Sequence, residues 1–188
     1  MRLTAKPIAI ASDHRGFALK ERLKAWLRAH DYAVTDCGAG NADERVDAMD
    51  FSLKAVREIK HGCADFAIGI CGSGQMMAIT ANRFPFMRAT LLHAPAEAAP
   101  AREHGDANML ALGADTIDAA TAEQILETFS RRRRLAIATP RAARGSRRWM
   151  WRRFRNGRSR RTRACYAARL FSANHAITKI TPAPTTRR

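Results

Sequence analysis

Cys71 ends an apolar run, residues 66–71, and is followed by Gly72, Ser73 and Gly74 before a helical pattern opens through Met76, Met77, Ile79 and Thr80. A cysteine so placed is a candidate base or nucleophile. The N–H groups of the Gly-Ser-Gly turn and the positive end of the following helix would favour an anion there and lower a thiol pKa. The run itself reads as a short strand covered on both faces. The same residues also admit a plain reading, a buried cysteine before an ordinary strand-to-helix turn. Two further groups of polar residues interrupt the apolar pattern: Ser12, Asp13, His14, Arg15 and Gly16, and the stretch 102–108 with Arg102, Glu103, His104, Asp106 and Asn108.

These groups need a scaffold, and the sequence predicts one. From residue 8 apolar runs alternate with amphipathic stretches: 8–11 then 17–30, 33–36 then 51–61, 66–71 then 74–83, 89–92 then 96–104, and 109–112 then 121–129. Five strand-helix units in series imply an α/β fold, a Rossmann-like, three-layer, doubly wound parallel sheet of about five strands, because each crossover is right-handed and returns to the same sheet. Leu19, Leu23, Trp26 and Leu27 form the expected core stripe of the first helix. Ligands of such sheets bind beyond the carboxyl ends of the strands, so the loops there are expected to carry the chemistry.

Composition narrows the function. A chain of 188 residues with 46% hydrophobic content can bury one sizeable core. It shows no run long enough to span a membrane and no signal-peptide pattern at its start, which predicts a cytoplasmic protein with no membrane partner. Cys37, Cys63, Cys71 and Cys165 make no Cys-x-x-Cys pair and no histidine cluster has ligand spacing, so neither a disulfide framework nor a metal site is expected. A nicotinamide site would need a third glycine, where Met76 stands, and an acid after the next strand, where the run ends Leu91-Leu92-His93. The net charge of +16 is unevenly placed: all 17 acidic residues lie between Asp13 and Glu127, against 14 Lys plus Arg in residues 1–129, and residues 130–188 hold the other 19 basic residues. This divides the chain into a domain at 1–129 and an Arg-rich extension at 130–188 with no expected fold of its own.

Taken together, the segments 11–20 (with Asp13, His14, Gly16 and Lys20), 70–74, 81–83 (with Asn82), 101–108 and 110–113 resemble, in collinear order, the ribose-5-phosphate isomerase B and galactose-6-phosphate isomerase (RpiB/LacAB) family. The resemblance implies a cofactor-independent enzyme that interconverts phosphorylated aldoses and ketoses, as a homodimer or dimer of dimers with sites between subunits. It implies Cys71 as the base moving a proton between C1 and C2, Ser73 as its hydroxyl partner, and His104 as the residue that opens the sugar ring. Gly72 and Gly74 would offer N–H groups to the enediolate oxygen; Asp13, His14 and Asn82 would bind substrate, with Arg88 or arginines of the extension on the phosphate. The chemistry is coherent, since abstracting a proton beside a carbonyl requires donors aimed at the developing oxyanion, and an imidazole titrating near about 6.5 suits ring opening. Structural readings stand beside these roles: Asp13 as a cap of the first helix, His14 as a solvated loop residue, His104 as cover for a helix end, Arg88 as a solvated strand edge.

Five positions depart from the family pattern. Ala48 and Met49 replace a Tyr-Pro pair, Met76 replaces a glycine and is expected to crowd the helix start, Gly105 replaces an asparagine, and Asp115 puts a carboxylate where a phosphate-binding cation is expected. These leave open an impaired or inactive homologue. The extension has three readings: an arm for nucleic acid or other polyanions, with Trp149, Trp151 and Phe154 among arginines, an unfolded basic segment, or a product of translation out of frame.

Overall fold

The computed structural model describes residues 6–132; the expectations for the basic extension lie outside the described residues. Five strands and five helices alternate strictly: β1 (Ile8–Ser12), α1 (Phe17–Ala29), β2 (Val34–Asp36), α2 (Ala48–Lys60), β3 (Ala67–Cys71), α3 (Gln75–Ala81), β4 (Ala89–Leu91), α4 (Pro95–Glu103), β5 (Met109–Gly113) and α5 (Ala119–Arg131). The strands pair in parallel in the order β2-β1-β3-β5-β4. This is the expected α/β fold. Helix α5 closes at Arg131, just past the boundary expected at 129.

Period-two alternation along the central strands makes two unlike faces. On one, Ile8, Ile10, Ile68, Ile70, Leu110 and Leu112 pack against α1 and α5, where Phe129 meets Phe66 edge-on at 5.4 Å between centroids. On the other, Ala9, Ala11, Ala67 and Ala111 leave room that Met77, Met109 and Phe51 fill beneath α2 and α3. Small residues on this second face let α3 lie close to β3, so the loop joining them is pinned at both ends. Trp26 packs at the margin of the first face's core, half-buried, and stacks on His30 at 3.9 Å. Helix α2 starts at Ala48, earlier than the apolar pattern suggests, because Asp47 caps it by accepting from the Met49 N–H at 2.9 Å.

The order of strands places the switch point between β1 and β3. From β1 the chain turns out to β2; from β3 it crosses in the opposite direction to β4. The β1–α1 and β3–α3 loops therefore part at neighbouring carboxyl ends and leave a crevice between them.

Candidate active site

Register brings the first set of polar residues together. Ser12 pairs with Ile70 and Cys71 with Gly113, so Asp13, one step beyond Ser12, lies beside Cys71. The Asp13 N–H donates to the Ile70 carbonyl at 3.2 Å, and its carboxylate accepts from the Gly16 N–H at 2.9 Å. Asp13 is buried and closes the turn into α1 through that bond; it is not the cap residue, which is Gly16. Glycine is required at 16 by close approach, since a Cβ there would lie 2.7 Å from the Ile70 carbonyl oxygen. The turn thus crosses directly over the end of the strand that carries Cys71.

Cys71 is 4% exposed, and its Sγ accepts from the Gly74 N–H at 3.1 Å. That bond closes the loop into the ring from which α3 starts. Gly74 has φ +74°, a left-handed conformation that an L side chain adopts only under strain. Ser73 is exposed, and its Oγ accepts from the Gln75 N–H at 3.4 Å, which leaves the hydroxyl proton to donate elsewhere. The loop is seated on β5 by two backbone bonds, Ala114 N–H to the Cys71 carbonyl and Asp115 N–H to the Gly72 carbonyl, both 2.9 Å.

His14 is half-buried, and its Nδ1 accepts from the Val46 N–H at 3.3 Å. An accepting Nδ1 puts the proton of the neutral ring on Nε2, a donor. The loop that supplies Val46 is anchored below by a charge cluster with no assigned role in the sequence reading. Lys20, 2% exposed, reaches both oxygens of Asp36 at 3.3 and 3.1 Å and the Ala39 carbonyl at 2.7 Å. Lys24 bonds Asp36 and Glu21. Burial pushes the Asp36 carboxyl up, but hydrogen bonds from Lys24, the Gly38 N–H and Lys20 outweigh it and hold the group below the usual carboxylate value. Burial pulls the Lys24 ammonium down, and its bonds to Asp36 and Glu21 outweigh that and hold it above the usual lysine value. Nearby, burial first and then Glu58 and Asp36 push the Cys37 thiol up to about 11, with Lys54 opposing. Cys37 is therefore a thiol at neutral pH, unsuited to act as a base.

The second set lies elsewhere. Helix α3 runs from the carboxyl edge of the sheet to the amino edge, and α4 does the same before β5. Asn82, Arg88 and His104 therefore sit at the amino edge, not beside Cys71. A strand of five residues spans roughly 16 Å, which keeps His104 and Cys71 of one chain apart. Asn82 uses both amide atoms on the Ala89 backbone, each at 2.8 Å. Arg88 pairs with Asp106 at 3.0 Å and donates to the Asp106 carbonyl. Its N–H donates to Asn108 at 2.7 Å. His104 is exposed at the end of α4, where its N–H donates to the Pro100 carbonyl at 3.0 Å.

The variant positions also find places. Met49 and Met76 are 43% and 42% exposed, so Met76 lies on the outer face of α3. Asp115, expected to repel an anion, pairs with Arg15 at 2.7 Å. Sequence reasoning assigned Arg15 nothing, and a contact between residues 100 positions apart leaves no local signal. Among the described residues no group of His, Cys, Asp or Glu is placed to hold a metal ion, and no helix is long and apolar enough to cross a membrane.

A thiol in a glycine loop at the switch point, flanked by an Asp-His pair, meets its match in known proteins. Residues 8–161 fit the pattern of the ribose/galactose isomerase family. The chain belongs to that family. A sugar phosphate isomerase homologue from Rickettsia bellii, described as putative, is 39% identical over 122 residues, 65% of this chain and 84% of the relative. The ribose-5-phosphate isomerase B of Escherichia coli is 33% identical over 124 residues, 66% of this chain and 83% of the relative. The crystal structure of a ribose 5-phosphate isomerase from Thermotoga maritima superposes with a TM-score of 0.67 at 40% identity, over 70% of this chain and 90% of that one. The ribose/galactose isomerases are sugar-phosphate isomerases that work without a cofactor, and this chain is an enzyme of that class. The family match continues past residue 129 into the basic stretch.

Proposed function

We propose that the chain interconverts an aldose phosphate and its ketose, of the ribose 5-phosphate to ribulose 5-phosphate type, through an enediol. The observation that carries this reading is the Cys71 sulfur held by the Gly74 N–H at the end of β3. As thiolate, Cys71 takes the proton from C2; the C–H electron pair becomes the C1–C2 double bond, and the carbonyl pair moves onto O1. A proton passes from O2 to O1 by way of the Ser73 hydroxyl, the O2 electron pair re-forms the carbonyl at C2, and the C1–C2 double-bond pair takes the proton back from the Cys71 thiol at C1. Once the sulfur is protonated it is a weak acceptor, which leaves the Gly74 N–H, with that of Gly72, able to donate to the oxyanion. Each donor so aimed contributes about 3 to 4 kcal/mol in comparable sites. The Ser73 hydroxyl donates to the O1–O2 edge, and Asp13 and the His14 Nε2–H hold sugar hydroxyls. Ring opening falls to His104 of a second copy, since the amino edge of one chain does not reach its own thiol. The active unit is accordingly a homodimer or a multiple of it.

The test is isomerase turnover by the full chain on four-, five- and six-carbon sugar phosphates. Turnover is expected, and Cys71→Ala should reduce it at least about a thousandfold, the order seen when a proton-transfer group is removed, with an unchanged circular dichroism spectrum. A folded protein that turns over no member of the panel would reject the reading and leave a non-catalytic protein of the same fold, with polyanion binding through residues 130–188 as its remaining role.

A further inference from the structure

Two opposite charges meet at the mouth of the loop for no reason the fold supplies. Nη2 of Arg15 lies 2.7 Å from Oδ2 of Asp115, with the side chains 60% and 45% exposed. An ion pair this open to solvent adds next to nothing to stability and is screened by salt. Its position is nonetheless tightly defined. A Cβ on Gly72 would come 2.5 Å from Asp115 Oδ2 and 2.9 Å from Arg15 Nε, so both side chains rest on the α-carbon adjacent to Cys71. The Asp115 backbone is fixed there by its N–H bond to the Gly72 carbonyl. Two other cations near this edge, Lys20 and Lys24, are engaged in the scaffold: Lys20 with Asp36 and the Ala39 carbonyl, Lys24 with Asp36 and Glu21. Arg88 is tied to Asp106 at the far edge.

We infer that Arg15, oriented by Asp115, is the cation that receives the phosphoryl group of the substrate, an assignment that rests on the isomerase reading above. A guanidinium carries five donors in a rigid plane suited to phosphate, and one carboxylate does not exhaust them. Asp115 is a positioning residue: it holds the guanidinium over Gly72, and the carboxylate that would repel a phosphate is neutralised by the side chain it positions. Glycine at 72 is what allows the pair to lie this close to the thiol.

The full chain and its Arg15→Gln, Arg15→Lys and Asp115→Asn variants are compared on the phosphorylated sugar turned over fastest and on the same sugar without phosphate. Arg15→Gln should raise KM for the phosphorylated sugar about tenfold or more while kcat falls less than about threefold, the mark of lost uniform binding. Discrimination between the two sugars should fall by the same factor, and Arg15→Lys should restore part of it. Asp115→Asn should raise KM less, and adding it to Arg15→Gln should do no further harm, as for residues acting as one unit. An unchanged KM in Arg15→Gln overturns the assignment and leaves the isomerase intact. If the wild type turns over no sugar, the isomerase reading fails by itself, and inorganic phosphate decides the site. A saturable shift of the Gly72 amide resonance in the wild type that is lost in Arg15→Gln supports the cation role; no shift in the wild type overturns it.

Discussion

The two edges of the sheet treat polar residues in opposite ways. At the amino edge Asn82, Arg88, Asp106 and Asn108 bond to one another and to the backbone, and stitch the ends of β4 and β5 to the segments before them. At the carboxyl edge side chains take single backbone N–H bonds from the turns and keep bonding capacity to spare. The Cys71 sulfur accepts one backbone N–H, Ser73 and His14 each accept one and keep a donor, and the buried Ser12 Oγ has no protein partner. A polar residue inside a family motif is thus a strut or a tool, and its bonds tell which. By that criterion Asn82 and Arg88 are struts within one chain, whereas His104 remains exposed at the end of α4.

The largest effect expected from this contrast is complementation. If His104 serves the Cys71 of another copy, mixing Cys71→Ala chains with His104→Ala chains should restore about a quarter of wild-type turnover, because half of the symmetric pairs are mixed and each mixed pair has one intact site. Two inactive chains that stay inactive after mixing and refolding together would return His104 to a structural role.

A smaller effect is expected from the cluster beneath the carboxyl edge. Asp36→Asn leaves the buried Lys20 with only the exposed Glu21, 3.1 Å away, as a carboxylate partner and should cost about 3 kcal/mol of stability, as breaking a buried pair does, read as the denaturation midpoint. The pH dependence has a defined sign. Asp36 is held below its ordinary value in the fold, so its contribution is complete above about pH 4 and is lost as pH falls through the lowered value. Lys24 is held above its ordinary value, so its contribution persists at neutral pH and is lost as pH rises through the raised one. Thermal melts should therefore show a plateau between, and Asp36→Asn should flatten the acid limb; an unaltered acid limb would remove Asp36 from the account.

The smallest effect is at Asp47. Asp47→Ala removes the cap of α2 and should cost about 1 kcal/mol, measured by denaturant unfolding. Because Val46 precedes the cap and bonds His14, the variant also tests whether loosening that loop raises KM.

Much of the fold was legible because β1, β3 and β5, buried on both faces, read as short apolar runs, and five apolar runs in all alternated with amphipathic stretches. The start of α2 was not, since Ala48, Met49 and Asp50 give no apolar period and the capping bond of Asp47 sets the boundary. Within the site, Asp13 and residues 71–74 were legible as polar interruptions at strand ends. The edge occupied by His104 was also written in the chain, since it precedes the run 109–112, and a residue before a parallel strand lies at its amino end. Arg15 with Asp115 and Lys20 with Asp36 were not legible: pairs between distant segments depend on the order in which strands lie, which no local pattern records.

Strand order has a last consequence, for motion. β3 is hydrogen-bonded on both sides, to β1 and β5, and all five of its residues are buried, whereas β4 is a half-buried three-residue strand at the margin. Amides of β3 should exchange with solvent only when the whole domain opens, and those of β4 through local fraying. The thiol thus rides on the strand that lets go last, so heating should leave its ring with Gly74 closed until the domain itself melts.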